Sequence, residues 1–293
     1  MRILVFDIGG TSIKYGIVDE KGKIYEKYEI PTRAKEGGEA LMKRILSVIG
    51  EFHNIDRIGV STAGQVDSKK GSIIFATDNL PGWTGMDIKK RIEDIYSIPT
   101  SVENDVNCAA IGEAYYGAGR EYDSFLCLTY GTGVGGAIVD KKQIYRGSFY
   151  SAGEFGHMIT HAGGNPCTCG GRGCYETYAS TSALIALVKK TLKHEVEING
   201  RIIFDKVNRG NMIYKEIVDR WIDEIVIGIS GLVHIFNPSL IVLGGGIMKQ
   251  EYIIESIEER LPDYIMKSFR NVKIESAKLG NNAGILGASI VSQ

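Results

Sequence analysis

Residues 153–177, which run GEFGHMITHAGGNPCTCGGRGCYET, are the most informative stretch of this chain. They contain three of its five cysteines, with a histidine ten residues before the first: Cys167, Cys169, Cys174 and His157. One imidazole and three thiolates are a typical ligand set for a closed, tetrahedral structural zinc site. The glycines of the stretch favour a tight loop around such an ion. The sequence therefore predicts a zinc loop whose flanking carboxylates, Glu154 and Glu176, face a substrate.

Two alternatives to this site stay open at the level of sequence. A disulfide plus a spare thiol would also use three clustered cysteines, but it suits an oxidising compartment, and nothing in the sequence indicates one. His161 lies four residues after His157 and is a rival imidazole ligand that spacing does not exclude. The remaining cysteines, Cys108 and Cys127, lie among apolar neighbours and are predicted to be small core residues.

Size and charge narrow the class of protein. A chain of 293 residues can bury a substantial core and form two domains. It carries 34 Lys and Arg against 35 Asp and Glu, a net charge of −1, so we expect neither a nucleic-acid nor a membrane-surface partner. Its first apolar run is too short for a signal peptide, and no apolar segment approaches the ~20 residues of a membrane span. A reducing, cytoplasmic setting is the simplest expectation.

Two glycine turns recur with an offset of 121 residues. They are Gly9-Gly10-Thr11 and Gly131-Thr132-Gly133, and the offset relates Gly10-Thr11 to Gly131-Thr132. The strands predicted on either side of these turns are 2–8, 13–18, 124–130 and 137–139. The repetition indicates two related halves, each with a turn whose amides can hold phosphate oxygens.

The first turn lies between two charged residues. Asp7 could hold a metal ion, and Lys14 could add positive charge, whereas an ordinary hairpin with a permissive glycine turn is the alternative. The second turn continues as GTGVGG at 131–136, which loosely matches a dinucleotide-binding fingerprint. No helix is predicted after it, so the dinucleotide interpretation fails in this context.

Asp105 falls between a predicted strand at 100–103 and a predicted helix that runs to about 118. In open α/β sheets this is where ligand chemistry is placed, although an aspartate here is also a common helix N-cap. The polar loop before Trp83 contains Asn79, whose amide could hydrogen-bond a polyol.

A third glycine turn, Gly244–Gly246, follows a predicted strand at 240–243. It leaves room for a flat ring such as adenine against the backbone, and a plain strand–helix turn is the alternative. The helices predicted from periodicity are 36–52, 86–96, 176–193, 213–236, 248–267 and 283–291. We expect Gly228 and Gly231 to interrupt the helix at 213–236, which a polar segment up to about residue 210 precedes.

Together these features resemble the sugar-kinase/Hsp70/actin superfamily. The run CTCGGRGCYE at 167–176, with GEFGH before it, resembles the ROK family (repressors, open reading frames and sugar kinases) over nearly the whole chain. The resemblance implies an α/β, two-domain actin-like (ribonuclease H-like) ATPase fold with an interdomain cleft. The N-terminal domain is expected at 1–118, with the C-terminal helix 283–293 packing back on it, and the domain with the zinc loop at 119–282.

The resemblance also implies roles for individual residues. Asp105 matches the family's catalytic base. The matches to sugar-binding positions are Gly64, Thr77, Asn79, Asn104, Glu154, His157 and Glu176. The matches to the zinc ligands are His157, Cys167, Cys169 and Cys174. The matches to the phosphate- and nucleotide-binding turns are Asp7, Gly9, Gly10, Thr11, Gly131, Thr132, Gly133, Gly244, Gly245 and Gly246, beside which Lys14 is a further candidate.

The implied activity is transfer of the γ-phosphoryl group of ATP to a hexose hydroxyl, most simply the 6-hydroxyl, with Mg²⁺ and a structural Zn²⁺. Glucose, fructose, N-acetylmannosamine and a β-glucoside all remain candidate substrates. Many family members have proline where this chain has Ala63. N-acetylmannosamine kinases resemble it in lacking that proline, although they have arginine in place of Gln65. The family resemblance further implies a homodimer.

A non-catalytic, sugar-sensing regulator of the same family is the alternative function. Repressors of the family carry an N-terminal helix-turn-helix domain, whereas here the first predicted phosphate strand starts near residue 3. The balanced charge also predicts no DNA-binding face. The sequence therefore favours the kinase.

Overall fold

The computed structural model describes residues 1–193 and 197–293. Its strands are β1 Ile3–Ile8, β2 Ser12–Val18, β3 Ile24–Pro31, β4 Arg57–Thr62, β5 Gln65–Asp67, β6 Ser72–Phe75, β7 Thr100–Asn104, β8 Phe125–Tyr130, β9 Val134–Asp140, β10 Gln143–Ile144, β11 Leu240–Gly244 and β12 Lys273–Ser276. Its α-helices are α1 Gly38–Ile49, α2 Ile88–Tyr96, α3 Asp105–Tyr116, α4 Glu176–Ala179, α5 Thr181–Leu192, α6 Gly200–Asn208, α7 Met212–Phe236, α8 Glu251–Arg260 and α9 Ala283–Val291. Within these ranges no helix combines the length and the apolarity needed to cross a membrane.

The described residues form two compact units. The first unit comprises Met1–Asp123, Ile138–Ala152 and Asn281–Gln293. The second comprises Ser124–Ala137 and Gly153–Gly280. Each has its own β-sheet and its own buried apolar core.

The sheet of the first unit has the strand order β3-β2-β1-β4-β7. β1, β4 and β7 are parallel, whereas β2 and β3 are antiparallel to their neighbours. The apolar residues of the parallel strands β1, β4 and β7 are buried, as expected for strands covered on both faces. In the parallel register Ile8 lies beside Thr62, and Thr62 lies beside Asn104. The residues that follow these three strands therefore start from one edge of the sheet.

The second sheet repeats this arrangement with the order β10-β9-β8-β11-β12. β8, β11 and β12 are parallel, and Gly244 lies beside Thr129 in their register. The bounds of β8 and β9 are those of β1 and β2 increased by 122 residues. The two strand–turn–strand segments predicted from the sequence are thus present. Their offset differs by one residue from that of the Gly-Thr pairs, so these pairs occupy different positions in the two turns.

Helix α9 packs against α3, β1 and β4 within the first unit. The approach is close because small residues face one another. A Cβ added to Gly287 would lie 1.7 Å from the Cys108 carbonyl oxygen, and one added to Gly59 would lie 2.1 Å from that of Ala288. In the first turn of α9 the same holds for Gly284, where an added Cβ would lie 2.6 Å from Asp7 Cγ at the end of β1.

Three helix predictions are corrected by the structure, and one further helix, α6, was not predicted. α7 runs without interruption for 25 residues, because Gly228 and Gly231 adopt helical conformations. The helix predicted at 176–193 is divided at Ser180, which is extended and caps α5 by accepting a hydrogen bond from Ala183 N at 3.1 Å. The polar segment before 210 contains α6. The helix predicted at 248–267 is the shorter α8, which continues as a 3-10 turn beyond Arg260.

The two glycines of α7 lie in different surroundings. A Cβ added to Gly228 would lie 2.2 Å from the ring of Tyr175, whereas one added to Gly231 would meet nothing within 4 Å. Tyr175 is fully buried, and its hydroxyl donates to Ile225 O at 3.0 Å and lies 2.8 Å from that of Tyr130. The ring is therefore fixed, and Gly228 is needed for space.

We predict opposite effects for Gly228→Ala and Gly231→Ala on thermal unfolding. Overpacking against the fixed ring should cost about 1–3 kcal/mol in Gly228→Ala. In Gly231→Ala the better helix propensity of alanine should stabilise the protein by up to about 1 kcal/mol. Calorimetric midpoints of the two variants and the wild type measure the difference. A higher midpoint for Gly228→Ala would show that Tyr175 can move aside.

Candidate functional site

Asn104 and Asp105 lie where β7 ends and α3 begins. The N-cap of α3 is Asn104, whose side-chain Oδ1 accepts from Val106 N at 2.9 Å and from Asn107 N at 3.1 Å. Its Nδ2 donates to Gly64 O at 2.9 Å and to Asp105 Oδ1 at 3.0 Å. Asn104 therefore caps α3, so the alternative role considered for Asp105, that of helix N-cap, belongs to its neighbour.

The Asp105 carboxyl is held from one side. Its Oδ1 accepts hydrogen bonds from Asn104 Nδ2 and from Val106 N, both at about 3 Å. Burial, followed by the negative charge of Asp7, raises the pKa of Asp105 to about 7, although these hydrogen bonds act in the opposite direction. The side chain keeps some contact with solvent. A partly accessible carboxyl with such a pKa can accept a proton near neutral pH.

Glu103, the residue before Asn104, holds the junction of β7 and α3 in place. Its side chain is 1% exposed, and its Oε2 accepts from Arg146 Nε at 2.7 Å. Its Oε1 accepts from Asn104 N at 2.9 Å and from Asn107 Nδ2 at 3.0 Å. Because a carboxylate this deeply buried is costly unless paired, the ion pair restrains both the strand end and the first turn of α3.

Asp7 is the second-last residue of β1 in the same unit. Its Oδ1 accepts from the buried Ser61 hydroxyl at 2.8 Å, and Lys14 lies opposite it in the β1–β2 register. Burial raises the pKa of Asp7, while the Ser61 hydrogen bond and the positive charges of Lys14 and Lys27 lower it. Carboxylate oxygens suit Mg²⁺, and Asp7 is the predicted residue that could hold one.

The glycine turn after β1 and the loop after β6 carry the other candidates of the first unit. Gly9 N donates to Ser12 O at 3.0 Å and closes the turn that contains Gly10 and Thr11. Thr77 and Asn79 are exposed on the loop that follows β6. The buried Trp83 secures the end of that loop through a hydrogen bond from its Nε1 to Thr62 Oγ1 at 3.0 Å.

In the second unit four metal-binding side chains converge. One ligand atom from each lies within 4.8 Å of all the others, and the residues are His157, Cys167, Cys169 and Cys174. The two measured edges, Cys169 Sγ to Cys174 Sγ and Cys167 Sγ to His157 Nδ1, are both 3.6 Å. A tetrahedral zinc with bonds of about 2.3 Å to sulfur and 2.0 Å to nitrogen requires edges of roughly 3.5–3.8 Å. The donor set and its spacing therefore fit such an ion.

The two alternatives for this cluster are disfavoured by geometry. A separation of 3.6 Å between Cys169 Sγ and Cys174 Sγ is too long for a disulfide bond, which needs about 2.05 Å. Among the described residues His161 is not part of the metal-binding group. It stacks on Tyr178 with ring centroids 4.0 Å apart, and its Nε2 lies 3.6 Å from Glu224 Oε2.

Glu154 and Glu176 lie on either side of the metal-binding cluster in sequence. Glu154 is exposed and immediately precedes a 3-10 turn, Phe155–His157. Glu176 begins α4, and its side chain is 17% exposed. Its Oε1 lies 3.2 Å from Cys167 Sγ, so one of the two predicted carboxylates is in direct contact with the cluster.

A cavity of about 520 Å³ opens within the second unit. This volume is in the usual range of small-molecule pockets. Three of the predicted nucleotide residues line it: Gly131, Thr132 and Gly246. Gly245 is not among the lining residues; its φ is +103°, and a Cβ there would lie 2.2 Å from Tyr130 O. The glycine turn after β8 is tied to the start of α5 by Thr181 N, which donates to Gly131 O at 3.0 Å.

Much of the cavity wall was not predicted from the sequence. The additional lining residues on α5, α6 and the turn before α8 include Thr181, Ser182, Ile185, Arg201, Phe204, Asp205 and Gln250. α6 was missed because it directly follows a polar stretch of the sequence. Asn199, which caps the helix by accepting from Ile202 N at 3.0 Å, and the apolar run Ile202–Phe204 were the available signals.

The predicted site residues are therefore divided between the units as follows. The first unit contains Asp7, Gly9, Gly10, Thr11, Lys14, Gly64, Thr77, Asn79, Asn104 and Asp105. The second contains Gly131, Thr132, Gly133, Glu154, His157, Cys167, Cys169, Cys174, Glu176, Gly244, Gly245 and Gly246. Hydrogen bonds join Gly64, Asn104 and Asp105 in the first, and Glu176 joins the metal-binding cluster in the second.

Comparison with known proteins shows the family. The model of the ROK family matches residues 3–293, and the chain belongs to this family. A glucokinase of Thermotoga maritima is 31% identical over 308 residues, which cover 99% of this chain and 97% of that protein. A beta-glucoside kinase of Listeria innocua is 32% identical over 296 residues, which cover 98% and 96% of the two chains.

A solved structure shows the same fold. The ROK family glucokinase of Streptomyces griseus, in complex with glucose and AMPPNP, is 30% identical and aligns with a TM-score of 0.86. The alignment covers 100% of this chain and 99% of that one. The predicted class, a mixed α/β actin-like ATPase fold, is thereby confirmed.

Proposed function

We propose that this protein is an ATP-dependent sugar kinase that transfers the γ-phosphoryl group to a hexose hydroxyl, the 6-hydroxyl. The observation that carries the proposal is the Asp105 carboxyl, which is fixed by Asn104 and has a pKa raised to about 7. Membership of the ROK family and the similarity of the chain to a glucokinase and a beta-glucoside kinase support the proposal.

In this proposal Asp105 is the general base. A sugar hydroxyl is a weak nucleophile, and a positioned base that takes its proton contributes about 10²–10⁴-fold to the rate. Oδ1 is engaged by Asn104 and Val106, so we assign proton transfer to Oδ2. Asn104 holds the carboxyl in place, and the Glu103–Arg146 ion pair restrains Asn104 in turn.

The sugar is proposed to bind through carboxylate, imidazole and amide groups of Gly64, Thr77, Asn79, Asn104, Glu154, His157 and Glu176. Such groups reject a sugar that leaves them unpaired, which is a strong source of discrimination. A structural Zn²⁺ held by His157 and the three clustered cysteines would fix the loop that carries them. The candidate substrates are glucose, N-acetylmannosamine and a β-glucoside, and activity assays on each of them distinguish these candidates.

ATP is proposed to occupy the cavity of the second unit, with its phosphates at the glycine turn after β8. The Gly131, Thr132 and Gly246 lining and the surrounding apolar residues Ile185, Phe204 and Ile247 support this assignment. Asp7 would hold Mg²⁺, which neutralises phosphate charge during phosphoryl transfer. Gly9, Gly10 and Thr11 would bind the transferred phosphate, whose charge Lys14 would help to balance.

The proposal is tested by measuring ADP release over a panel of hexoses, with and without the Asp105→Asn substitution. The variant should lose at least about 10²-fold in kcat, because the base is gone, while hexose affinity measured by calorimetry stays within a few-fold. Asp94→Asn, an exposed aspartate of α2, is the matched control and should keep full activity. Retention of more than about a tenth of the wild-type rate in Asp105→Asn would exclude the base assignment. A wild type without activity that still binds hexose would favour the regulator.

The pH dependence of kcat/KM for the hexose gives a second prediction. Because the pKa of Asp105 is raised to about 7, its carboxyl is protonated below that pH and cannot accept the proton of the sugar. We therefore expect kcat/KM to fall about tenfold per pH unit on the acidic side. Because the negative charge of Asp7 contributes to the shift, bound Mg²⁺ should lower the pKa of Asp105, so the kcat/KM profile should lie at lower pH with saturating than with subsaturating Mg²⁺. Metal content checked at the lowest pH controls for loss of zinc. A flat profile between pH 5 and 8 would contradict the assignment.

The Cys169→Ser variant should lose zinc. A structural zinc contributes roughly 10–16 kcal/mol of binding free energy, and removal of one thiolate disrupts the closed tetrahedron. Elemental analysis should give about one zinc per chain for the wild type and well below that for the variant, together with weaker hexose binding. Cys127→Ala, in β8, is the control and should keep the metal. Equal zinc contents in wild type and Cys169→Ser would rule out the site.

A further inference from the structure

The Glu176 carboxylate lies between the metal-binding cluster and the glycine turn after β8. Its Oε1 lies 3.2 Å from Cys167 Sγ and 3.9 Å from His157 Nδ1. Its Oε2 accepts a long hydrogen bond from Val134 N at 3.4 Å. The two oxygens therefore face different structures, the cluster on one side and the backbone of the turn on the other.

Gly133 makes room for this carboxylate. A Cβ added at Gly133 would lie 2.3 Å from Glu176 Oε2 and 3.4 Å from its Cδ. The backbone of Gly133 does not have the positive φ that favours glycine. What the position requires is the absence of a side chain, not conformational freedom.

The neighbouring glycine of the turn differs in this respect. A Cβ added to Gly131 would meet nothing within 4 Å, and Gly131 lines the cavity whereas Gly133 is absent from its lining. The two residues are joined by a hydrogen bond from Gly131 N to Gly133 O at 3.0 Å. One turn thus presents its first glycine to the cavity and its last to Glu176.

The helix that carries Glu176 cannot easily yield. The preceding residue, Tyr175, is fully buried and hydrogen-bonded at its hydroxyl, and Ala179 at the end of α4 is also fully buried. A methyl group at position 133 would therefore displace the flexible end of the Glu176 side chain, while the backbone on either side stays in place.

We infer that Gly133 is a positioning residue for Glu176, and through it for the sugar, although it lies in a turn of the phosphate-binding type. The inference rests on the proposed function, in which Glu176 binds a sugar hydroxyl. It assigns to the last glycine of this turn a part in hexose recognition that its motif does not suggest.

Gly133→Ala and Gly131→Ala form a matched pair for the test. The probes are D-glucose, or the panel sugar that the wild type prefers, and AMPPNP, each titrated by calorimetry. In Gly133→Ala the Glu176 carboxylate should be displaced from the sugar hydroxyl that it accepts from, which should weaken hexose binding about 10- to 100-fold. The affinity for AMPPNP should change less than about threefold. Gly131→Ala should keep hexose affinity within about threefold. Zinc content and the thermal midpoint of Gly133→Ala should equal those of the wild type.

A second variant makes the test independent of any general effect of the methyl group. Aspartate is shorter than glutamate by one methylene, so Glu176→Asp should leave space for a methyl group at position 133. In the Glu176→Asp background the further change Gly133→Ala should cost less than about threefold in hexose affinity, because coupled neighbours are not additive.

Besides unchanged hexose binding by Gly133→Ala, three results would overturn the inference. They are a loss of AMPPNP affinity in Gly133→Ala equal to or larger than the loss of hexose affinity, a loss of zinc in that variant, and the same penalty in both backgrounds. A wild type that binds no hexose of the panel would instead reject the proposed function, and this assignment with it. Normal hexose binding by both wild type and Gly133→Ala would reject the assignment alone.

Discussion

The side-chain amide of Asn104 is the interaction on which the first unit's site depends. Its oxygen accepts from two amides of α3, and its nitrogen donates to Gly64 O and to Asp105 Oδ1. All of its ordinary hydrogen-bonding capacity is used. A strand end, a helix start, a separate loop and the proposed base are thereby joined through one planar group. A substitution that kept the cap but lost the amide nitrogen would release the loop and the carboxyl together.

This interaction acts on a frame set by strand register. Because β1, β4 and β7 are parallel and in register, Asp7, Ser61 and Glu103 lie in one row across the sheet. The row continues into buried hydrogen bonds, Ser61 to Asp7 and Arg146 to Glu103. Burial and then the negative charge of Asp7 raise the pKa of Asp105, which follows β7 at the same end of these strands. The same closeness to Asp7 that raises the pKa of Asp105 would favour a cation at Asp7 in the proposed mechanism.

Much of this arrangement could be predicted from the sequence, and the failures have identifiable causes. The β1–β2 and β8–β9 segments were found because apolar runs flank glycine turns, and the family was found because the cysteine run is specific. Whether Asp105 caps α3 could not be decided, since Asn104 is an equally good cap and only coordinates show which side chain accepts from Val106 N and Asn107 N. His161 could not be separated from His157, because its stacking on Tyr178 depends on a residue that is distant in sequence. α6 was missed because it begins with Gly200 and Arg201 directly after a polar stretch, which resembles a loop.

The glycines show most clearly what sequence alone leaves undetermined. Gly245 has a positive φ that a side chain would strain, Gly133 and Gly228 have ordinary backbones and are needed for space, and Gly231 has neither constraint. All four appear in the sequence as the same letter. A conformational requirement can be inferred from a local turn pattern, because it is a property of adjacent residues. A requirement for space depends on whichever side chain arrives from elsewhere in the fold, here Glu176 or Tyr175. Motif matching therefore assigns Gly133 to phosphate by its neighbours in sequence, whereas its neighbours in space are those of the proposed sugar site.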